Sequence, residues 1–384
     1  MRMLFAQAPA VKQDLVKKLL LLNWPFLALV TAIVLVGVAA LYSVAGGSFE
    51  PWASRQVIRY CVGLALLFAI AFSDIRWWLK WAYPLFLSAL VLMALVPLIG
   101  VESGGARRWL GFGDLSFQPS EMMKIAVVLA IARYYQWLAP QKIWRPDALI
   151  PPLLMIGVPA LLALSQPDLG TAALFAIIGA GMMFLAGVSW FYFAGAITGV
   201  VVALPHAWEM LHDYQKERVL TFFDPDRDPL GSGYHILQSK IAIGSGGLSG
   251  KGFMNGTQAQ LNFLPEKHTD FIFTMFAEEM GFVGALGLLA LYLLVLIFIT
   301  YMALRCRSVF ARLVAVGMGL CLFAYVFINV AMVTGLVPVV GIPLPLVSYG
   351  GTSMLTMIVG LGFVLNAHVN RKVTFRPEET GALW

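Results

Sequence analysis

The chain has 384 residues, of which 60% are hydrophobic and only 12% are charged. Soluble domains carry about 25% charged residues, so this composition excludes an ordinary soluble protein and is typical of a membrane protein. The net charge of +6 is attributed to membrane topology and to attraction for anionic lipids, and no nucleic acid is expected among the partners.

Apolar windows recur along the chain, and most are near the ~20 residues that a helix needs to cross hydrocarbon. Helices are expected rather than strands, because the windows lack the alternation of a transmembrane barrel and a helix satisfies its own backbone hydrogen bonds. The sequence therefore predicts an all-α polytopic membrane protein with ten transmembrane helices. The windows lie at residues 24–44, 57–73, 80–99, 121–138, 149–165, 170–187, 190–208, 271–303, 312–334 and 350–367.

The Lys and Arg residues are unevenly divided between the two sides of the predicted bundle. Most of the 26 fall in the termini and in the loops on the same side, whereas the short loops of the other side hold Arg55, Arg59, Arg107 and Arg108. This excess of positive charge predicts that both termini are cytoplasmic. No short cleavable signal precedes the first span, which is expected to remain as an anchor.

The pattern divides the chain into three segments. Residues 1–23 are predicted to be a cytoplasmic N-terminal segment, residues 24–370 the membrane domain and residues 371–384 a cytoplasmic tail. Within the membrane domain, residues 209–269 are predicted to form a large structured extracytoplasmic loop between helices seven and eight, and such loops are usually functional. Its segment HILQSKIAI, at residues 235–243, is predicted to lie as a helix on the membrane surface.

The segment FLPEKHTDFIF gathers charged residues directly before a long apolar segment. Asp270 stands where the eighth helix is expected to begin, so the simpler interpretation is a helix cap that complements the dipole. Its neighbours Lys267 and His268 favour a function instead, as do the carboxylates of Glu278 and Glu279 farther along the helix, because carboxylates at membrane depth are costly and usually functional.

A second cluster lies in ESGGARRWLGFGDLSFQPSEMMK, at residues 102–124. Glu121 and Lys124 are three apart on one face of the fourth predicted helix, where an ion pair would explain both. Lys124 is ~7 Å into that helix and near lipid, which favours a buried partner or a ligand. Arg107 and Arg108 could bind lipid head groups, but an arginine fork also suits a pyrophosphate.

Two further outer segments, SQPDLGT and VPVVGIPLPLVSYGG, carry polar groups. Asp168 in the first is either a helix cap or part of the same cluster, and the prolines and glycines of the second are interpreted as shaping a turn. This collection suits an anionic, membrane-embedded substrate, since cations would hold a lipid pyrophosphate and a carboxylate would accept a proton from a hydroxyl nucleophile. The acids and bases of the outer side are Arg108, Glu121, Lys124, Asp168, Lys240, Lys251 and Asp270.

Several motifs resemble those of the SEDS family (shape, elongation, division and sporulation), in that family's order. They are QPSEMMK, QPDLGT, the run GSGYHILQSKIAIGSGGLSGKGFMNGTQAQLNFLPEKHTDFIF, and PLPLVSYGG. The resemblance covers about residues 24–372 and is nearer to the elongation branch than to the division branch. It implies a peptidoglycan glycosyltransferase that polymerises lipid II at the outer face of the bacterial cytoplasmic membrane.

The resemblance also implies residue roles. Asp270 matches the family's essential aspartate and would be the general base for the 4-hydroxyl of the acceptor GlcNAc. That oxygen would attack C1 of the donor MurNAc and expel undecaprenyl pyrophosphate, inverting the anomer to a β-1,4 link. Arg108, Glu121 and Lys124 match positions that shape the cavity and stabilise the pyrophosphate. The other substrate-binding candidates are Asp168, Lys240, Lys251, Glu266, Lys267 and His268.

No cofactor is required by this chemistry, because the leaving pyrophosphate supplies the driving force. No acid cluster has the spacing of a metal site, although a divalent cation could neutralise the pyrophosphate. The resemblance implies lipid II, the nascent lipid-linked glycan, the lipid bilayer and a class B penicillin-binding protein, a transpeptidase, as partners. Cys61, Cys306 and Cys321 show no pairing pattern, so no disulfide is expected.

Two other classes of function remain open. A lipid II flippase could use the intramembrane Glu278, Glu279 and Lys124 for alternating access, and a non-catalytic scaffold of the elongation complex would need no ionisable cavity. The acids and bases favour the enzyme over the flippase, because they cluster on the outer side and not at the midplane.

Overall fold

The computed structural model describes residues 15–103, 106–112, 115–210, 232–261 and 266–375, together with Lys216, Leu220, Thr221, Asp224 and Leu264. The ends of the two predicted cytoplasmic segments and most of residues 211–231 in the predicted outer loop lie outside the described residues. The described chain is mostly helical.

The helices are listed here in chain order, with labels used below. They are α1 (Leu15–Leu21), α2 (Trp24–Val44), α3 (Trp52–Phe72), α4 (Ile75–Ile99), α5 (Pro119–Trp137), α6 (Ile150–Ser165), α7 (Leu169–Leu185), α8 (Trp190–Met210), α9 (Ser232–Ser245), α10 (Thr257–Gln260), α11 (Ile272–Leu304), α12 (Val309–Val333) and α13 (Gly351–Val369). Short 3-10 turns cover Pro140–Lys142 and Pro146–Leu149.

Seven helical stretches in the described part of the chain are long and apolar enough to cross a membrane, and they make this a multi-pass membrane protein. Helix α7 and the first part of α8 are apolar but shorter, and α5 carries charged residues. Each of the ten predicted windows overlaps a helix. The seven stretches are Trp24–Val44, Trp52–Phe72, Ile75–Ile99, Pro146–Ser165, Ile272–Leu304, Val309–Val333 and Gly351–Val369.

Helices α5, α12 and α13 form the centre of the bundle. Helix α5 is buried along most of its length, because its charged residues Glu121 and Lys124 cannot face lipid without a large cost. Helix α12 packs against α5, α7, α11 and α13, and α13 packs against α3. A Cβ at Gly362 would lie 3.1 Å from the backbone of Leu67 in α3, so a small residue is what allows these two helices to approach closely.

A small antiparallel sheet that was not predicted interrupts the mostly helical chain. Strands β1 (Val101–Ser103), β2 (Ala106–Phe112) and β3 (Leu115–Phe117) pair in the order β1-β2-β3. Strands of three residues are too short to show a period of two, and the glycines between them are typical of a loop. The sheet sits directly before α5 and carries Arg108 toward it.

The eighth predicted span is not one continuous helix. Helix α11 breaks at Gly281, whose φ of 67° and ψ of −169° are not helical. The break frees backbone groups, which the segment after α9 satisfies: the amides of residues 251–252 donate to the carbonyls of residues 278–279, and the amides of residues 282–283 donate to the carbonyls of residues 247–248. The loop and the broken helix therefore form one hydrogen-bonded unit.

Helix α9 overlaps the predicted surface helix but packs against α11 and α12. The Ser239 side chain is fully buried, and its hydroxyl lies 2.7 Å from the Thr274 hydroxyl and donates to the Val333 carbonyl at 2.7 Å. Leu237 and Ile241, on the other face, are exposed. Only that face is available to lipid, because the other face packs on the bundle.

Substituting Gly250 is expected to loosen this unit. A Cβ at Gly250 would lie 2.1 Å from the Glu279 carbonyl oxygen, and its φ is +79°, so Gly250→Ala adds a clash to a backbone strain of ~1–3 kcal/mol. The melting temperature of the variant in detergent should fall. Gly244→Ala is the control, because no atom lies within 4 Å of that Cβ and alanine is favoured in a helix by ~0.5–1 kcal/mol. Equal melting temperatures for the two variants would contradict the role given to the loop.

Candidate functional site

A cavity of about 620 Å³ lies at the end of the bundle where α5, α7, α11 and α13 begin. This volume is within the ~300–1,000 Å³ usual for ligand sites. Because helix N-termini carry partial positive charge, four of them around one cavity favour an anionic ligand. The cavity brings together six of the candidate residues from the sequence: Arg108, Glu121, Lys124, Asp168, His268 and Asp270.

The turn before α11 is held by hydrogen bonds to its backbone. The carbonyls of residues 268–270 accept, in order, from the Tyr349 amide at 2.9 Å, the Ser348 hydroxyl at 2.6 Å and the Asn329 side-chain amide at 2.9 Å. The donors come from α12 and from the segment between α12 and α13, the predicted turn VPVVGIPLPLVSYGG. That segment therefore positions Asp270.

The Asp270 side chain forms no ion pair with a cation among the described residues. It is packed against Gly341, where a Cβ would lie 3.3 Å from its Oδ2, and no residue in the described ranges donates a hydrogen bond to it. Burial, and the negative charge of Glu266, raise the pKa of Asp270 to about 7. A group that titrates near neutral pH can both accept and release a proton there.

Lys124 lies in a buried trio with Glu121 and Tyr325. Its Nζ is 2.7 Å from Glu121 Oε1 and contacts the Tyr325 hydroxyl, which in turn donates to the Glu121 carboxylate at 2.9 and 3.0 Å. The sequence-based pair is thus present, and Tyr325 joins it from α12. The positive charge of Lys124 is balanced by Glu121, as a buried charge requires.

Arg108 and Asp168 both have their hydrogen-bond partners at the start of α7. The Arg108 Nε donates to the Gln166 carbonyl at 3.2 Å, and its guanidinium also donates to the Pro167 carbonyl. Asp168 accepts from the Thr171 amide at 3.0 Å and the Thr171 hydroxyl at 2.9 Å. Asp168 is therefore a helix cap, the first of its two interpretations, and it lines the cavity as well.

Lys251 lies at the break in α11 and does not line the cavity. Its Nζ is 2.6 Å from Glu278 Oε1 and 2.9 Å from the Thr257 hydroxyl. The Glu278 side chain is fully buried, and Glu279 beside it accepts from the Ser43 hydroxyl at 2.5 Å. Glu278 therefore holds the loop after α9 on the broken helix, and Glu279 ties α2 to it.

Three more candidates also lie outside the cavity wall. Lys240 is exposed, with its stem against Gly335. Glu266 is exposed and accepts from the Thr269 hydroxyl at 2.7 Å, so it acts on Asp270 through its charge. Lys267 is partly buried, which lowers its pKa.

Sequence reasoning missed three cavity residues, Arg59, Tyr325 and Tyr349. Tyr325 and Asn329 are polar residues one turn apart in the apolar second half of α12, a visible signal that went unused. Arg59 was counted as a topological charge, although it lies two turns inside α3. Tyr349 gave no signal, because its role depends on residues far away in the sequence.

The chain is similar to known proteins in both sequence and fold. The model of the FtsW, RodA and SpoVE family, described as cell cycle protein, matches residues 16–373. The peptidoglycan glycosyltransferase MrdB of Escherichia coli K12 is 44% identical over 351 residues, 91% of this chain and 94% of the relative. The probable peptidoglycan glycosyltransferase FtsW of Thiomicrospira cyclica is 38% identical over 351 residues, 88% of each chain.

Solved structures agree. A chain of a peptidoglycan synthase complex that coordinates polymerization and crosslinking superposes with a TM-score of 0.80 at 35% identity, covering 92% of this chain and 99% of that one. The rod shape determining protein RodA of Thermus thermophilus superposes with a TM-score of 0.70 at 31% identity, covering 92% and 98%. The motifs, the fold and these relatives confirm the resemblance to SEDS proteins: the chain belongs to the FtsW, RodA and SpoVE family.

Proposed function

We propose that this chain is a peptidoglycan glycosyltransferase that polymerises lipid II into β-1,4 glycan strands during cell elongation. One observation carries the proposal: Asp270, with a pKa raised to about 7, shares a single cavity with cationic side chains and helix N-termini. A base and an anion-binding surface are what transfer from a lipid diphosphate to a sugar hydroxyl requires. The glycosyltransferase names of the relatives support the same reaction.

In the proposed mechanism, Asp270 accepts the proton of the 4-hydroxyl of the acceptor GlcNAc. That oxygen forms a bond to C1 of the donor MurNAc while the bond from C1 to the diphosphate oxygen breaks, and the electron pair leaves with undecaprenyl diphosphate. Attack opposite the leaving group inverts the anomer. Diphosphate is a good leaving group, so the second carboxylic acid of a glycoside hydrolase is not needed.

The proposal places the cavity on the extracytoplasmic side of a cytoplasmic membrane, with ten spans and both termini cytoplasmic. The distribution of Lys and Arg supports this orientation, and the overlap of the ten windows with helices supports the count. In the described residues, no group of three or more His, Cys, Asp and Glu could hold a metal, so a divalent cation at the diphosphate would be held mainly by the phosphates.

Two kinds of partner are proposed with this activity. The substrates are lipid II and the nascent lipid-linked glycan, which reach the cavity from the lipid bilayer. The macromolecular partner is a class B penicillin-binding protein, supported by the similarity to a chain of a complex that coordinates polymerization and crosslinking.

Asp270→Asn is expected to abolish polymerisation, because an amide cannot accept the proton and a general base contributes ~10²–10⁴-fold to rate. The measurement is the length and amount of glycan made from lipid II by purified protein with its partner. The control is Asp74→Asn, since Asp74 caps α4 and asparagine caps equally well. Full polymerisation by Asp270→Asn would favour a flippase or a scaffold.

The rate of polymerisation is expected to rise with pH through about 7 and then level, because Asp270 must be deprotonated and its pKa is about 7. Removing the nearby negative charge in Glu266→Gln lowers that pKa, so the rise should move to lower pH. Glu102→Gln, at an exposed carboxylate on β1, is the control and should leave the profile in place. An unmoved profile in Glu266→Gln would contradict this account of Asp270.

A further inference from the structure

Arg59 is a cavity residue without a carboxylate partner among the described residues. It lies ~10 Å from the start of α3 and lines the cavity. Its guanidinium carbon is 4.4 Å from the centre of the Tyr349 ring, and its Nη2 is 3.2 Å from the Tyr349 hydroxyl. Its Nη1 is buried and has no hydrogen-bond partner, and within the described ranges no ion pair includes it.

The other two cations of the cavity already have partners within the protein. Lys124 is paired with Glu121 at 2.7 Å, so this pair adds no net charge. Arg108 donates to two backbone carbonyls at the start of α7. A buried donor without an acceptor is costly, and the Nη1 of Arg59 is such a donor beside the cavity that Arg59 lines.

The position of Arg59 beside α13 points to an anion. A Cβ at Gly351, the first residue of α13, would lie 3.5 Å from Arg59 Nη2, so the guanidinium stands against the N-terminus of that helix. No side chain caps this N-terminus. A cation next to the positive end of a helix dipole is unfavourable by itself, and an anion between them would satisfy both.

We propose that Arg59, oriented by Tyr349, binds the diphosphate of the lipid-linked donor. This inference rests on the proposed function, and it assigns the diphosphate to the α3 and α13 side of the cavity and not to Lys124. The planar guanidinium offers two parallel donors, which match two phosphate oxygens. As C1 is attacked, Arg59 stabilises the negative charge that grows on the departing diphosphate.

Tyr349 links this site to the base. Its ring and hydroxyl contact Arg59, and its amide donates to the His268 carbonyl at 2.9 Å, two residues before Asp270. Burial alone would raise the pKa of Tyr349, but the hydrogen bond from Arg55 and the charge of Arg59 outweigh it and hold the pKa below its ordinary value. The positive field expected at a diphosphate site is therefore present at the Tyr349 hydroxyl.

The test uses farnesyl diphosphate, a short lipid diphosphate, bound to the purified full chain and measured by calorimetry. Arg59→Gln is expected to weaken binding at least about tenfold, and Arg59→Lys should restore part of it as a point charge. Arg76→Gln is the control: Arg76 is exposed at the start of α4 and does not line the cavity, so the affinity of that variant should stay within about twofold. Uncharged farnesol should bind all variants alike.

The outcomes separate this inference from the proposed function. Asp270→Asn should bind farnesyl diphosphate like the unsubstituted protein while losing polymerisation, and Arg59→Gln should lose both. Unchanged farnesyl diphosphate binding in Arg59→Gln would overturn the inference and leave the glycosyltransferase intact. Diphosphate binding that depends on Arg59, in a protein that does not polymerise lipid II, would sustain the site and overturn the function. If Arg59→Gln does not fold, the affinity of Arg59→Lys for farnesyl diphosphate is measured instead, because that variant keeps a positive charge beside Tyr349. An affinity equal to that of the unsubstituted protein would then overturn the inference.

Discussion

The site depends on three hydrogen bonds that fasten the carbonyls of residues 268–270 to Asn329, Ser348 and Tyr349. They hold the turn before α11 outside any regular helix, so Asp270 projects into the cavity instead of simply capping α11. Because the donors belong to α12 and to the segment after it, the position of the base is set by the centre of the bundle. The loop after α9 contacts the same helix farther along the chain, at the break at Gly281.

Charges inside this membrane protein are arranged in two different ways. Lys124 with Glu121, and Lys251 with Glu278, form short ion pairs. The first pair is buried and, through Tyr325, ties α5 to α12, whereas the second, in which only Glu278 is fully buried, ties the loop after α9 to α11. Losing one member of such a pair is destabilising, because it leaves the other charge without its partner. Asp270 and Arg59 have no such partners among the described residues, which is how groups that meet a substrate are expected to differ.

Separation of base and cation has a chemical purpose. A cation in contact with Asp270 would lower its pKa and weaken it as a base, whereas burial and Glu266 raise it to about 7. The diphosphate needs positive charge, and the guanidinium of Arg59 and the N-terminus of α13 supply it elsewhere in the same cavity. One cavity can therefore hold a proton acceptor with a raised pKa and a positively charged anion site, because the two groups are not in contact.

Local pattern was sufficient for the membrane-spanning helices, for the acidic turn at Asp270 and for the ion pair of Glu121 with Lys124, because hydropathy and helical spacing are properties of neighbouring residues. It was insufficient for the sheet that carries Arg108, for the break at Gly281, and for the position of Lys251 away from the cavity. Those depend on which distant backbone groups and charges meet. The role of Arg59 is of the same kind: the sequence shows a cation near the end of a span, and only the packing of α3 on α13 and Tyr349 decides that it lines the cavity.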